Sequence, residues 1–279
     1  MSDRFVVIGA GTMGIGIAYV AAGAGYRVEV VETSPTCVDA ARERLRVLWA
    51  GAVARGRMSE ADASEAGTRI AWFNALAEVD DGPDVIVEAV PERLDLKRAV
   101  LAEAAGKHPA LLGSNTSSIP IGSLGERVIG LHFFNPVWVM PLLEIVVADG
   151  TGPDLVDAAR ALATRLGKDP IVVRDMPGFA TSRLGIALGL EAIRMVEDGV
   201  ASAADIDKAM MLGYRHPMGP LELTDLVGLD VRLDIARTLR DAYGPRFEPP
   251  ALLESLVEQG RLGRKTGHGF YEWRDGVRQ

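Results

Sequence analysis

The sequence contains very few residues that could crosslink the chain or bind a metal ion. A single cysteine, Cys37, is present among 279 residues, so no disulfide can form within the chain. The four histidines are too far apart in sequence to match any known zinc-binding spacing. These absences exclude a disulfide-stapled domain and a recognised zinc motif, and they predict a reducing compartment, the cytoplasm.

The chain also lacks long apolar runs and an excess of positive charge. No uncharged apolar segment reaches ~18 residues, and the N-terminus has no basic-then-apolar succession, so neither a membrane span nor a signal peptide is predicted. Lys and Arg total 30 against 38 Asp and Glu, which gives a net charge of -8. Such a balance disfavours broad binding to nucleic acid or to anionic membranes. We therefore expect neither as a partner.

The composition is that of an ordinary globular protein. Hydrophobic residues make up 48% and charged residues 24% of the chain, which excludes an intrinsically disordered protein. At ~150 residues per domain, the length allows one large domain or two ordinary ones.

The first 32 residues predict a dinucleotide-binding βαβ unit. The apolar runs Arg4–Ile8 and Arg27–Val31 are typical of buried parallel strands. Between them, Gly9-Ala-Gly11-Thr-Met-Gly14 precedes an apolar stretch with helical spacing. In this pattern the first glycine permits a tight turn, the second lets the backbone approach a pyrophosphate, and the third lets the helix pack closely on the strand.

Glu32, at the end of the second strand, favours NAD over NADP. A carboxylate at this position accepts hydrogen bonds from the adenosine ribose hydroxyls and repels a 2′-phosphate. No Arg or Lys follows in residues 33–36 to offset that repulsion. The alternative is that Glu32 only caps the end of the strand.

The remaining pattern predicts an α/β fold with two domains. Further strands are expected at 84–89, 110–112, 128–133, 142–147 and 170–173. After Pro177 the expected elements are helices, with no strand signal, at 184–196, 203–212, 221–226 and 231–239. We predict an N-terminal Rossmann-like doubly wound sheet over residues 1–177 and a C-terminal all-helical domain over residues 178–279.

One predicted helix of the first domain is rich in arginine. Apolar residues from Val38 to Val53 recur every three or four positions, which indicates a long amphipathic helix. Its outer face is basic, and that face is either simply solvated or binds an anion. The arginines concerned are Arg42, Arg44, Arg46, Arg55 and Arg57.

Three residues of the middle segments suit the oxidation of an alcohol. Such a reaction needs a base for the hydroxyl proton while hydride leaves for a nicotinamide. His132 suits that task, Glu144 could hold its tautomer and stabilise the imidazolium, and Ser117 could bind the substrate oxygen. A histidine satisfied within the core and a serine that caps a helix explain the same residues without catalysis.

Six segments in this order resemble the L-3-hydroxyacyl-CoA dehydrogenases, especially the bacterial 3-hydroxybutyryl-CoA type. The resemblance covers nearly the whole chain. The segments are Gly9-Ala-Gly-Thr-Met-Gly14, Ser114-Asn-Thr-Ser-Ser118, Gly130-Leu-His-Phe-Phe-Asn-Pro-Val137, Met176-Pro-Gly-Phe179, His216-Pro-Met-Gly-Pro220 and Gly263-Arg-Lys-Thr-Gly267.

The resemblance implies NAD-dependent oxidation of an (S)-3-hydroxyacyl-CoA, of short chain such as 3-hydroxybutyryl-CoA, to the 3-oxoacyl-CoA, and the reverse reduction. It implies a catalytic group of His132, Glu144, Ser117 and, at a fourth position, Ser182. Substrate contacts are implied for Ser117, Arg55 (near the CoA portion) and Asn135. The implied NAD-binding residues are Gly9, Gly11, Thr12, Met13, Gly14, Glu32, Glu92, Lys97 and Asn115.

Ser182 departs from the family pattern, which commonly has asparagine in the segment after Pro-Gly-Phe. Serine is shorter than asparagine, and loss of a donor of this kind can cost ~3 kcal/mol of transition-state stabilisation. We expect Ser182 to affect efficiency or substrate choice and not the reaction class, because His132, Glu144 and Ser117 are retained.

Other substrates and one other class of protein stay open. The substrate alternatives are a dicarboxylic hydroxyacyl-CoA, a hydroxyacyl carrier-protein thioester and a free hydroxy acid. The alternative class is an NAD-binding protein that has lost catalysis. The resemblance also implies a homodimer formed through the helical half. Helix 184–196 is consistent with this, because it has more apolar positions than one buried stripe requires.

Overall fold

The computed structural model describes residues 3–279, and the chain divides into two compact units. The first unit ends at Met176 and the second begins at Pro177. No helix in the described part of the chain is long and apolar enough to cross a membrane.

An eight-stranded sheet forms the centre of the first unit, in the order β3-β2-β1-β4-β5-β6-β7-β8. All neighbouring strands are parallel except β6 and β7, which are antiparallel. The central strands are buried because helices cover both faces of such a sheet. The strands are β1 Arg4–Ile8, β2 Arg27–Val31, β3 Ile70–Phe73, β4 Val85–Glu88, β5 Leu111–Ser114, β6 Val128–Phe133, β7 Leu142–Val147 and β8 Asp169–Arg174.

Among the described residues of this unit, five segments are α-helices. They are α1 Thr12–Gly23, α2 Pro35–Ala54, α3 Glu60–Thr68, α4 Leu94–Ala105 and α5 Pro153–Arg165. The order of the strands reverses between β1 and β4, and in open α/β sheets ligands bind at such a point, beyond the carboxyl ends of the strands.

The second unit consists of five α-helices and a short hairpin. The helices are α6 Thr181–Glu197, α7 Ala203–Gly213, α8 Pro220–Val227, α9 Leu229–Tyr243 and α10 Ala251–Glu258; the hairpin strands are β9 Trp273–Arg274 and β10 Val277–Arg278. Their buried aliphatic side chains form a separate core.

Two buried carboxylates connect the segments of this second unit. Asp207 accepts hydrogen bonds from the Leu221 and Glu222 backbone N–H groups and from the Tyr271 hydroxyl. Asp225 accepts from the Phe270 and Tyr271 N–H groups and from the Trp273 indole. Gly263, at φ +90°, packs directly on the Asp225 backbone, where a Cβ would collide. Gly263, the first residue of the Gly263–Gly267 segment, therefore has a structural reason to be glycine.

The predicted fold class is confirmed, with three local corrections. Strand β3 was not predicted, and the second unit contains the β9–β10 hairpin although no strand was expected there. Helix α2 ends at Ala54, so Arg55 is its C-terminal cap residue and Arg57 follows the helix. Helix α6 leaves two leucines exposed in the single chain, Leu184 at 71% and Leu188 at 37%.

Candidate active site

A cavity of about 370 Å³ opens at the carboxyl ends of β4, β5 and β6. It brings together predicted residues from four separate segments of the chain. Its lining residues are Met13, Ala89, Val90, Glu92, Lys97, Asn115, Ser117, His132, Phe133, Phe134 and Asn135. A cavity of this size with a few convergent polar groups is typical of a small-molecule site.

The antiparallel register of β6 and β7 places His132 directly opposite Glu144. The His132 Nδ1 atom lies 2.7 Å from Glu144 Oε2. The histidine is 7% exposed and the glutamate is fully buried, so water does not compete for this hydrogen bond. A carboxylate at Nδ1 selects the tautomer in which Nε2 exchanges protons, which is the arrangement of a general base with its orienting partner.

Asn115 has its orientation fixed at the wall of the cavity. Its Oδ1 atom accepts a hydrogen bond of 2.9 Å from the Phe133 N–H, and its own N–H donates to the Glu88 carbonyl. With the side-chain oxygen held in this way, the amide NH₂ is the group available to a ligand. The hydrogen bond also ties the end of β5 to the strand that carries His132.

Glu92 organises the loop that carries Ser117. Its Oε1 atom accepts from the Thr116 hydroxyl at 2.6 Å and from the Ser117 and Ser118 N–H groups, each at 3.0 Å. The Ser117 hydroxyl lies 3.5 Å from the same oxygen. Burial raises the pKa of the Glu92 carboxyl, but these hydrogen bonds and the Lys97 charge outweigh burial and hold that pKa below its usual value.

Lys97, Glu88 and Ser114 form a buried network behind this loop. The Lys97 Nζ atom lies 2.7 Å from Glu88 Oε1, 3.1 Å from the Val90 carbonyl and 3.2 Å from Glu92 Oε2. Ser114 donates to the other Glu88 oxygen at 2.6 Å. Lys97 is only 1% exposed, so its ammonium is held by the protein on several sides. Glu88 was missed by the sequence analysis, and the only signal for it is a charged residue at the end of an otherwise apolar strand.

The glycine loop after β1 fits the pyrophosphate of a dinucleotide. Gly9, at φ +101°, passes so close to Ala89 that a Cβ would lie 2.8 Å from its carbonyl, and a Cβ on Gly14 would collide with Gly9. The Cβ side of Gly11 instead meets nothing within 4 Å. The following helix α1 has no side-chain cap and no acidic residue in its first turn. Backbone N–H groups therefore face an open approach, as anion binding requires.

Glu32 and Thr12 lie beside this loop. The Glu32 carboxylate accepts from the Ala10 and Ser34 N–H groups, both at 3.0 Å, so it is held in place with further lone pairs remaining on each oxygen. Arg44 donates to the Thr12 hydroxyl at 3.1 Å, which places a cation at the start of α1. These contacts fit an NAD site, with Glu32 toward the ribose and the glycine loop toward the phosphates.

The other predicted site residues lie outside this cavity. Arg55 folds back over its own helix, with guanidinium nitrogens about 3.1 Å from the Cβ position of Gly51. Ser182 belongs to the second unit, in the first turn of α6. In the described part of the chain no group of three His, Cys, Asp or Glu residues is arranged to hold a metal ion.

Two family models match the chain. The model of the 3-hydroxyacyl-CoA dehydrogenase NAD binding domain matches residues 4–176, and that of the C-terminal domain matches residues 178–273. Two curated relatives cover the chain almost completely. The 3-hydroxybutyryl-CoA dehydrogenase of Mycobacterium tuberculosis is 41% identical over 98% of this chain and 100% of its own length. The probable 3-hydroxybutyryl-CoA dehydrogenase of Bacillus subtilis is 37% identical over 98% of both.

A solved structure agrees with these matches. The crystal structure of (S)-3-hydroxybutyryl-CoA dehydrogenase PaaH1 from Ralstonia eutropha superposes with a TM-score of 0.93 at 35% identity, over 99% of this chain and 100% of that one. Both family models and the whole-length relatives lead to one conclusion. The chain belongs to the 3-hydroxyacyl-CoA dehydrogenase family.

Proposed function

We propose that the protein is an NAD-dependent dehydrogenase that oxidises a short-chain (S)-3-hydroxyacyl-CoA, such as 3-hydroxybutyryl-CoA, to the 3-oxoacyl-CoA, and catalyses the reverse reduction. The observation that carries this proposal is the buried hydrogen bond of 2.7 Å between His132 Nδ1 and Glu144 Oε2 at a cavity of ligand size.

Each residue of the site has its own role in the proposed reaction. His132 takes the proton of the 3-hydroxyl at Nε2, and Glu144 stabilises the imidazolium that forms. Ser117, held by Glu92 through its N–H, hydrogen-bonds the 3-oxygen and keeps it near His132. Bound NAD supplies the hydride acceptor. In the reduction, His132 returns the proton to the 3-oxygen.

The basic end of α2 suits the CoA part of the substrate. Burial raises the pKa of the Tyr19 hydroxyl, and the nearby positive charges of Arg55 and Arg57 partly oppose this shift. Clustered guanidinium groups bind phosphates well. Arg55 is the residue that we assign to the CoA portion.

We further propose that the enzyme is a homodimer in the cytoplasm. The second unit exposes aliphatic side chains on three helices that pack against one another, α6, α8 and α9. These residues, called here the apolar helix face, are Leu184, Leu188, Leu223, Val227 and Val231. Exposed apolar side chains on neighbouring elements are typical of a subunit interface.

The function is tested with His132→Ala and NADH absorbance during reduction of acetoacetyl-CoA. We expect the wild type to turn over and the variant to lose about 100-fold or more in kcat, because general acid–base catalysis contributes that much. NADH binding, followed by its fluorescence, stays intact in the variant. Unchanged turnover in the variant would refute the role of His132, and wild-type protein that binds NADH but turns over no hydroxyacyl thioester would refute the function.

A further inference from the structure

Glu88, at the end of β4, is a fully buried carboxylate in a strand that is otherwise apolar. Its Oε1 atom accepts from the Val90 N–H and from Lys97 Nζ, both at 2.7 Å, and its Oε2 atom accepts from the Ser114 hydroxyl at 2.6 Å. A buried carboxylate is costly unless it is paired and hydrogen-bonded, and this one is both. Glu88 does not line the cavity that contains His132, so it affects a ligand there only through the residues that it holds.

One route leads from Glu88 through Lys97 to the loop that carries Ser117. The Lys97 ammonium lies between two carboxylates, 2.7 Å from Glu88 Oε1 and 3.2 Å from Glu92 Oε2. The other Glu92 oxygen accepts from the Ser117 and Ser118 N–H groups, each at 3.0 Å. Because Lys97 is 1% exposed, water does not replace either carboxylate, and a change at Glu88 alters how the ammonium is shared with Glu92.

A second route leads through the end of β5 to the same loop. Ser114 donates its hydroxyl to Glu88 and accepts, on the same oxygen, from the Thr116 N–H at 3.3 Å. The main-chain carbonyl of Glu88 accepts from the Asn115 N–H at 2.9 Å. The Thr116 hydroxyl donates in turn to Glu92 at 2.6 Å. Glu88 and Glu92 therefore hold one loop between them.

This network contains one more carboxylate than it needs to neutralise Lys97. Glu88 is the closer partner of the ammonium, at 2.7 Å against 3.2 Å for Glu92. Without the charge of Glu88, Glu92 is the remaining carboxylate that pairs with this buried ammonium among the described residues. A stronger attraction between Lys97 and Glu92 then competes with the hydrogen bonds that Glu92 accepts from Ser117 and Ser118.

We propose that Glu88 is a positioning residue of the reaction, which pairs with Lys97 so that Glu92 holds the Ser117 loop in place. This inference rests on the proposed function, in which Ser117 hydrogen-bonds the 3-oxygen of the substrate. A displacement of about 1 Å can cost about 100-fold in rate, because the reacting atoms must be aligned.

The test begins with Glu88→Gln, which removes the charge and keeps the size of the side chain. We expect kcat for acetoacetyl-CoA reduction to fall about 10- to 100-fold while KM changes by less than about threefold, because the orientation of the bound 3-oxygen is altered and the binding of CoA is not. Hydrogen exchange follows the loop without turnover. We expect the Ser117 and Ser118 amides to lose about tenfold in protection in this variant.

A double variant, Glu88→Gln with Lys97→Met, separates the sharing of charge from a loss of packing. It removes both members of the buried pair, and apolar or neutral replacements of such pairs are often tolerated. We expect the Ser117 and Ser118 amides to regain wild-type protection, because no buried ammonium then attracts Glu92. This measurement is available even if Glu88→Gln alone does not fold.

Glu29→Gln is the matched control. Glu29 lies on β2 of the same sheet, pairs with Arg4 at 2.9 Å, has a side chain that is 16% exposed and does not line the cavity. We expect this variant to have a lower melting temperature, as Glu88→Gln does, but to keep wild-type kcat and wild-type exchange at Ser117 and Ser118.

Four results would overturn the inference: a folded Glu88→Gln enzyme with wild-type kcat, wild-type protection of the Ser117 and Ser118 amides in that variant, a double variant in which this protection stays lost, or an equal loss of kcat in Glu29→Gln. If the wild type reduces no hydroxyacyl thioester, the proposed function fails, while hydrogen exchange still decides whether Glu88 controls the loop.

Discussion

At the scale of single residues, the reaction that we propose depends on a pair of side chains that strand register brings together. His132 and Glu144 are twelve positions apart in sequence, yet they face each other across β6 and β7 and share a hydrogen bond of 2.7 Å. Opposite residues of an antiparallel pair lie on the same face of the sheet. The antiparallel register of these two strands therefore brings the proposed base and its partner together.

Glu144→Gln tests this pair. The amide keeps the size of the side chain but removes the negative charge, so the imidazolium is less stabilised and the wrong histidine tautomer becomes accessible. We expect kcat for acetoacetyl-CoA reduction to fall by about 10²- to 10⁴-fold while NADH binding is retained.

Glu126→Gln serves as the control for this prediction, because Glu126 is exposed and lies outside the cavity of His132. It should behave as the wild type. A Glu144→Gln enzyme that folds normally and retains wild-type kcat would show that the carboxylate has no part in the reaction.

Single residues also mark the limit of what the sequence could predict about the site. His132 and Glu144 could be predicted from the sequence because each lies in a strand whose apolar pattern is clear. Glu88 was missed because its partners, Lys97 and Ser114, come from a different helix and strand.

At the scale of elements, the strands with long apolar runs were the predictable ones. Strands β1, β2, β6 and β7 have the predicted bounds, because β-branched residues between turns are typical of buried strands. Strand β3 is a short, partly exposed edge strand, and β9 and β10 have two residues each, too few to show an alternating pattern. Their pairing is decided by tertiary contacts.

The loop that carries Ser117 depends on one carboxylate, and this gives a prediction about pH. The folded-state pKa of Glu92 is lowered, so its contribution to stability is present above its usual value near 4.5 and is lost as the pH falls below that value. We expect Glu92→Gln to lower the free energy of unfolding at pH 7 by about 1 kcal/mol, a charged hydrogen-bond contribution discounted for partial exposure.

Urea unfolding at pH 7 and at pH 4 measures this effect, and hydrogen exchange locates it. The difference between wild type and Glu92→Gln should shrink at pH 4, and the Ser117 and Ser118 amides should lose protection in the variant at pH 7. A difference that grows on acidification would contradict the sign of this linkage.

At the scale of the whole molecule, the net charge of the chain differs from the charge at particular places. A net charge of -8 disfavours large anionic partners, yet two arginines lie where we propose that small anionic groups bind. Arg44 lies at the start of α1 and Arg55 at the end of α2, in the first unit. The pyrophosphate of NAD and the phosphates of CoA are the small anionic groups that we propose for Arg44 and Arg55.

The apolar helix face gives the last prediction, which concerns the assembly. Leu184 is 71% exposed on α6, an unfavourable place for a leucine unless a second copy of the chain covers it. We expect the wild type to sediment as a dimer at micromolar concentration and Leu184→Asp to sediment as a monomer, because a charge within an apolar interface would be desolvated without a partner. Val47→Asp is the control, since Val47 is 54% exposed on α2, which belongs to the first unit. This control variant stays dimeric.

A wild type that sediments only as a monomer would contradict the dimer, and a dimeric Leu184→Asp would place the interface on another surface of the molecule.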